Sequence, residues 1–106
     1  MGFFKKLQSM LGLKPQPDLT SIISNGAKII DVRTPGEFLQ GHIVGATNVP
    51  LDVLNLKLSK FKKDEAIITC CASGMRSKSA QSILQSNGFT QVYNGGGWRS
   101  LTKYIK

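Results

Sequence analysis

Two short apolar runs constrain this chain most: Lys28-Ile29-Ile30-Asp31-Val32 and Ala66-Ile67-Ile68-Thr69-Cys70. Neither alternates apolar and polar residues as a half-solvated strand would. Each has the length and β-branched content of a strand buried on both faces. Helix signals surround them. Asp18 is placed to N-cap a short helix to about Asn25, ended by Gly26. Thr34-Pro35 opens another, with Thr34 as N-cap and Pro35 at its first position, running to Gln40 and stopped by Gly41. Ala46 to Val49 reads as a short strand, and Leu51 to about Leu58 as helical. Arg76 to Ser86 is the longest helix, halted at Asn87-Gly88. Thr90 to Tyr93 reads as the last strand and Gly95-Gly96-Gly97 as a loop. A short C-terminal helix carries Trp98, Leu101 and Tyr104. Strands that alternate with helices predict an α/β fold, a mostly parallel sheet with helices on both faces. Ligands in such folds bind at the carboxyl ends of strands.

The chain has 106 residues, one domain's worth, large enough to bury a core without disulfides or metals. No run approaches the roughly 18 apolar residues of a membrane span. Its two cysteines, Cys70 and Cys71, are adjacent, a spacing that seldom reaches disulfide geometry. Free thiols fit a reducing compartment, and no cleavable leader is read at the N-terminus, so a cytoplasmic location is expected. Two cysteines and one histidine without ligand spacing predict no metal site and no cofactor. The net charge of +8 favours anions, but it is spread along the chain as a solvated surface is. Without a recognition motif or interleaved aromatic residues, nucleic acid is not expected as a partner. On a helical wheel Phe3, Phe4, Leu7, Met10 and Leu11 share one face of a basic amphipathic helix. That face predicts docking on the domain or on a second copy, or weak contact with a membrane surface. Lys14 to Pro17 reads as a linker.

The segment Cys71-Ala72-Ser73-Gly74-Met75-Arg76-Ser77 leaves a buried strand and enters a helix. A tight turn there can aim several backbone N–H groups at one point, the Cys71 sulfur, and so hold an anion. A charge-assisted hydrogen bond contributes about 1.5–3 kcal/mol and one pKa unit is about 1.4 kcal/mol, so two such bonds can ionise a thiol near neutral pH. Gly74 permits the turn, Arg76 supplies a fixed positive charge or ties the loop down, and Ser77 is placed to help cap the helix. Cys70, before the loop, reads as a small apolar core residue.

At these residues the chain resembles the rhodanese family. Asp31-Val32-Arg33-Thr34-Pro35-Gly36-Glu37-Phe38, then Gly41-His42-Ile43-Val44-Gly45-Ala46-Thr47-Asn48-Val49-Pro50, is similar to one family signature, and Cys71-x-x-Gly74-x-Arg76-Ser77 to its active-site loop. The resemblance implies a single-domain sulfurtransferase with a five-stranded, mostly parallel sheet, residues 18–106 forming the domain and residues 1–17 the helix and linker. It implies that the Cys71 thiolate takes a sulfane sulfur from thiosulfate or a related donor, holds it as a persulfide, and passes it to a thiol, cyanide or a protein acceptor. The loop residues Ala72, Ser73, Gly74, Met75, Arg76 and Ser77 would bind the substrate, with the backbone amides from Ala72 to Arg76 holding the persulfide charge. The first motif reads as structural support. Asp31 would bond neighbouring N–H groups, Glu37 would pair with either Arg33 or Arg76, and His42 would be a structural histidine rather than a base. The loop is C-x4-R, whereas the related cell-cycle phosphatases use the wider C-x5-R, which favours sulfur over phosphate. The chain departs from the family at Cys70, where many members carry an aromatic residue, and at Trp98, which follows Gly97 directly. The alternative is a non-enzymatic sulfur carrier or binding module, using the N-terminal helix to meet a relay protein.

Overall fold

A computed structural model describes residues 18–105. The expected helix over Phe3 to Leu11 and the linker after it lie outside the described residues. In chain order the elements are α1 (Leu19–Ser24), β1 (Lys28–Asp31), α2 (Pro35–Gln40), β2 (Thr47–Asn48), two 3-10 segments (Leu51–Leu56 and Leu58–Lys60), β3 (Ala66–Cys71), α3 (Met75–Ser86), β4 (Gln91–Gly97), α4 (Trp98–Leu101) and a last 3-10 turn (Thr102–Tyr104). The strands form one parallel sheet in the order β2-β1-β3-β4. The fold class is the α/β class of the sequence reading. Among the described residues the sheet has four strands, one fewer than the family resemblance implied.

The local reasons are visible in the caps. The Asp18 carboxylate accepts from Thr20 N at 3.0 Å and so starts α1. Thr34 and Glu37 close a capping box on α2: Thr34 Oγ1 accepts from Glu37 N at 3.3 Å, and Glu37 Oε1 accepts from Thr34 N at 3.1 Å. The segment after Pro50 is 3-10 rather than α-helical. Bonds such as Val53 N to Pro50 O at 3.0 Å and Lys57 N to Leu54 O at 2.9 Å span three residues, and Leu51 and Leu54 then lie on one side.

Packing separates the two faces of the sheet. On one, Ile30, Val32, Leu54, Ile67, Cys71, Ala80, Leu84 and Val92 form a buried cluster under α3 and the 3-10 segments. On the other, Leu19, Ile43, Ile68, Cys70 and Leu101 pack with α1 and the C-terminal elements. Each such leucine or isoleucine contributes about 1.5–3 kcal/mol through burial. β3 lies between the clusters, so its alternate side chains enter opposite cores.

The glycine run is not a loop. β4 continues through Gly95, Gly96 and Gly97, and its register to β3 slips by one residue between Thr69↔Asn94 and Cys71↔Gly97, as at a β-bulge. Two of the glycines are there because β4 is crowded, and Gly96 because its φ of +77° favours glycine. A Cβ on Gly95 would stand 2.8 Å from Ile68 Cγ2, 2.9 Å from Leu101 Cδ2 and 2.9 Å from Thr69 O, and one on Gly97 would stand 2.8 Å from Ala72 O. Gly95→Ala is therefore expected to destabilise the protein by about 1–3 kcal/mol through overpacking, read as a lower urea midpoint.

Candidate active site

The site forms where β3 ends and α3 begins. Gly74 occupies the N-cap position with φ +100°, a left-handed conformation that favours glycine. It carries no side chain to satisfy the first N–H groups of the helix. The Cys71 sulfur takes that place: Sγ accepts from Gly74 N at 3.0 Å and from Ser77 N at 3.3 Å. Cys71 Sγ also lies 3.4 Å from Ser77 Oγ. Burial of Cys71 opposes ionisation, but the Ser77 hydroxyl and the Ser77, Gly74 and Ser73 amides outweigh it, and the thiol is held below its usual value. Ser77 is not a helix cap, as the sequence had suggested. The helix starts earlier, at Met75, which leaves the fully buried Ser77 beneath the sulfur. The Cys71 side chain is also closed from solvent, whereas Ala72, Ser73 and Met75 around the turn are exposed.

Cys70 points into the opposite core. Burial pushes its thiol up to about 12, and the Asp31 carboxylate adds to the effect. The adjacent thiols thus differ in the direction of their shift because one strand step separates them.

The first motif frames the loop. Asp31 and Arg33, both buried, form a bidentate pair, Nη2 to Oδ2 at 2.7 Å and Nε to Oδ1 at 2.9 Å, and Asp31 Oδ1 also accepts from Arg33 N at 3.0 Å. Arg33 then donates to Gly41 O at 2.7 Å and Glu37 O at 3.2 Å, fixing both ends of the turn of chain around α2. The Glu37 carboxylate pairs with Arg76 instead, through two bonds of 2.7 and 2.9 Å, so the alternative Arg33–Glu37 ion pair is not formed. Arg76 therefore ties the loop to α2. His42 Nδ1 lies 2.7 Å from Phe38 O and its ring stacks on Phe38 at 3.7 Å. That leaves it braced against α2, at an exposed position.

Some contacts around the site escaped the sequence reading. The Asn94 side chain reaches Ser77, with Oδ1 2.6 Å from Ser77 Oγ. The guanidinium groups of Arg33 and Arg99 stand 4.9 and 5.0 Å from the Trp98 ring centre. A shallow cavity of about 200 Å³ beside the loop is lined by Arg33, Glu37, Gln40, Ala72, Trp98 and Arg99. Asn94 pairs with Thr69 in register and lies two residues after Val92, so strand alternation puts it on the α3 face, a parity the sequence did offer. Among the described residues no cluster of three or more His, Cys, Asp or Glu could hold a metal, and no helix is long and apolar enough to cross a membrane.

Residues 16–103 match the family model of the rhodanese-like domain. The uncharacterized protein YqhL of Bacillus subtilis is 40% identical over 81 residues, covering 76% of this chain and 64% of YqhL, so the chain spans slightly less than two thirds of that relative. Thiosulfate sulfurtransferase PspE of Escherichia coli is 34% identical over 74 residues, 68% of this chain and 71% of PspE. The structure of the human single-domain sulfurtransferase TSTD1 superposes with a TM-score of 0.74 at 27% identity, covering 85% of this chain and 94% of that one.

The Arg76 guanidinium, helped by the Thr34 N–H, holds the Glu37 carboxyl down to about 2 from its ordinary 4.5. Because the folded value lies below the unfolded one, the pair stabilises the fold above about pH 4.5, and the gain is lost as pH falls through about 2. Urea midpoints measured across that window are expected to fall less steeply in Glu37→Gln than in the unaltered protein.

Proposed function

The chain belongs to the rhodanese-like domain family, and from that premise we propose that it is a sulfurtransferase working through a persulfide on Cys71. The observation that carries the reading is the convergence of the Gly74 and Ser77 N–H groups on one sulfur at a strand-to-helix turn, with its thiol held below the usual value. Relatives named thiosulfate sulfurtransferase support sulfur transfer as the class of reaction.

The steps follow from the atoms available. The Cys71 thiolate attacks the outer sulfur of thiosulfate, a new S–S bond forms, the donor's S–S bond breaks, and sulfite leaves with the electron pair. The extra sulfur then carries the negative charge, and the unused amides of the turn are the nearest donors for it. A thiolate or cyanide acceptor attacks that outer sulfur, and Cys71 leaves as thiolate. A thiolate already stabilised by the turn needs no general base, in keeping with a His42 bonded to Phe38 O. Since Cys71 is enclosed, the donor reaches it only as the turn around the exposed Ala72, Ser73 and Met75 shifts. The turn brings no charge of its own before Arg76, and Arg76 is neutralised by Glu37. The exposed Arg99 of the adjoining cavity is the cation beside the turn, and within the turn itself thiosulfate meets no unpaired side-chain charge. The exposed Met75, with 79% of its surface open, favours an apolar contact there, and a persulfide delivered by a protein is the second reading.

Purified protein given thiosulfate and cyanide is expected to form sulfite and thiocyanate. Cys71→Ala should fall to the uncatalysed background while Cys70→Ala keeps the activity. Intact mass should rise by about 32 Da, one sulfur, in the unaltered protein and not in Cys71→Ala. Mass gain from a protein persulfide but not from thiosulfate selects the relay; no gain from either removes both readings.

A further inference from the structure

The Ser77 hydroxyl stands between two acceptors. Its Oγ is 2.6 Å from Asn94 Oδ1 and 3.4 Å from Cys71 Sγ. The Asn94 amide is oriented from its other side by the Gly96 N–H, which can only donate and lies 2.9 Å from the same Oδ1. Turning the amide over would set its NH2 against that N–H, so the oxygen must face Ser77. Nδ2 then faces Gly74 O at 3.4 Å. Ser77 itself is fully buried, so water does not take over either contact.

A serine hydroxyl carries one proton. While that proton points at Asn94, Ser77 can only accept from the sulfur, and the arrangement supports the S–H form. Supporting a thiolate requires the proton to turn toward Sγ and give up the Asn94 bond. We propose that Ser77 and Asn94 form a hydroxyl switch, in which Asn94 is a positioning residue that competes with the Cys71 sulfur for the Ser77 proton and so sets how readily Cys71 ionises. No covalent bond changes in the switch. The Cys71 proton departs to a solvent base and the hydroxyl rotates. When a persulfide forms, charge moves to the outer sulfur, and the hydroxyl returns to Asn94. The inference rests on the reading of Cys71 as the reactive thiol and deepens it.

The other charged or titratable groups around Cys71 are accounted for. Arg76 on α3 is paired with Glu37 of α2, Asp31 at the end of β1 is paired with Arg33, and the Cys70 thiol faces the opposite core. Among the described residues none of these side chains hydrogen-bonds to the Ser77 hydroxyl or to Asn94.

The test uses the full chain carrying Cys70→Ala, which leaves a single thiol. The rate of iodoacetamide alkylation, followed by intact mass, gives the ionisation midpoint of Cys71 as pH is varied. Asn94→Ala frees the hydroxyl for the sulfur and is expected to lower the midpoint by about one pH unit, the scale of one charge-assisted bond. Asn94→Asp keeps the shape and the acceptor for Gly96 N–H, holds the hydroxyl more firmly, and is expected to raise the midpoint by about one unit or more. Ser77→Ala should raise it and abolish the effect of Asn94→Ala, since the two residues act through one proton. A loss of packing alone would move both Asn94 variants the same way. That result, an unchanged midpoint, or an Asn94→Ala effect that persists without Ser77 overturns the switch. If Asn94→Ala does not fold, Asn94→Asp is compared with and without Ser77→Ala: a rise that shrinks without the hydroxyl supports the switch, and a rise of equal size, which the new charge alone gives, or no rise overturns it. The readout needs no sulfur donor, so failure of sulfur transfer and failure of the switch are separate results.

Discussion

The Cys71 sulfur sits where the first amides of α3 have no side-chain cap, and this substitution of a sulfur for a capping oxygen organises the surrounding chain. An N-terminal helix turn leaves N–H groups that must find acceptors. Gly74 at the N-cap offers none, and its positive φ swings the turn so that its own N–H and that of Ser77 face Sγ at 3.0 and 3.3 Å. The sulfur gains donors and the helix gains an acceptor, so loop geometry and thiol chemistry have one cause. The arrangement is most favourable when the sulfur is negative, because hydrogen bonds to a charged acceptor are the stronger kind.

Such a turn holds its shape only if both flanks are fixed. On one side the bidentate Asp31–Arg33 pair is buried, and its remaining donors end on the carbonyls of Glu37 and Gly41. A buried pair is costly unless its hydrogen bonds are satisfied, and here the partners are the backbone that carries Glu37. Glu37 in turn caps α2 and grips Arg76 on α3. The chain of contacts therefore runs from the end of β1 through α2 to the first turn of α3. On the other side β4 presses its glycines against the turn, with Gly97 facing Ala72 O and Gly74 facing Gly96. The turn is held between an ion-pair frame and a strand without side chains.

How much of this was legible depended on whether the signal was local. Thr34-Pro35 announced a capped helix, and the cap, which Glu37 completes, is made within that stretch. Gly26, Gly41 and Asn87 mark helix ends by their own backbone preferences. The partner of Glu37 was left open because Arg33 lies four residues away whereas Arg76 lies 39 away, and only folding decides between them. Gly95-Gly96-Gly97 was read as a loop because glycine is a poor strand former. Gly95 and Gly97 are required in β4 by atoms of β3 and of the turn after it, which are distant in the sequence. Ser77 was expected to help cap a helix starting at Arg76, but it lies inside the first turn, buried beneath the sulfur. Asn94 was missed because the last strand was read as ending at Tyr93 and its partner Ser77 is 17 residues away in the sequence.

The two thiols show how a one-residue step can divide chemistry. Successive residues of a strand face opposite sides of a sheet, and both sides of β3 are covered. Cys70 meets an apolar cluster with a carboxylate nearby, and its thiol is pushed up to about 12. Cys71, also closed from solvent, meets backbone N–H groups and a hydroxyl, and its thiol is lowered. Burial acts to raise both thiols, more so at the deeper Cys70, and the hydrogen-bond donors that offset it are found at Cys71. The distinction comes from the end of the strand, where the ladder of β3 gives way to a turn with free donors on one face only. A thiol one position earlier has no such donors whichever core it enters, and a thiol one position later would stand with Ala72 in the exposed part of the turn. The position of Cys71 is therefore fixed jointly by strand parity and by the helix start, two constraints that the fold satisfies together at this residue.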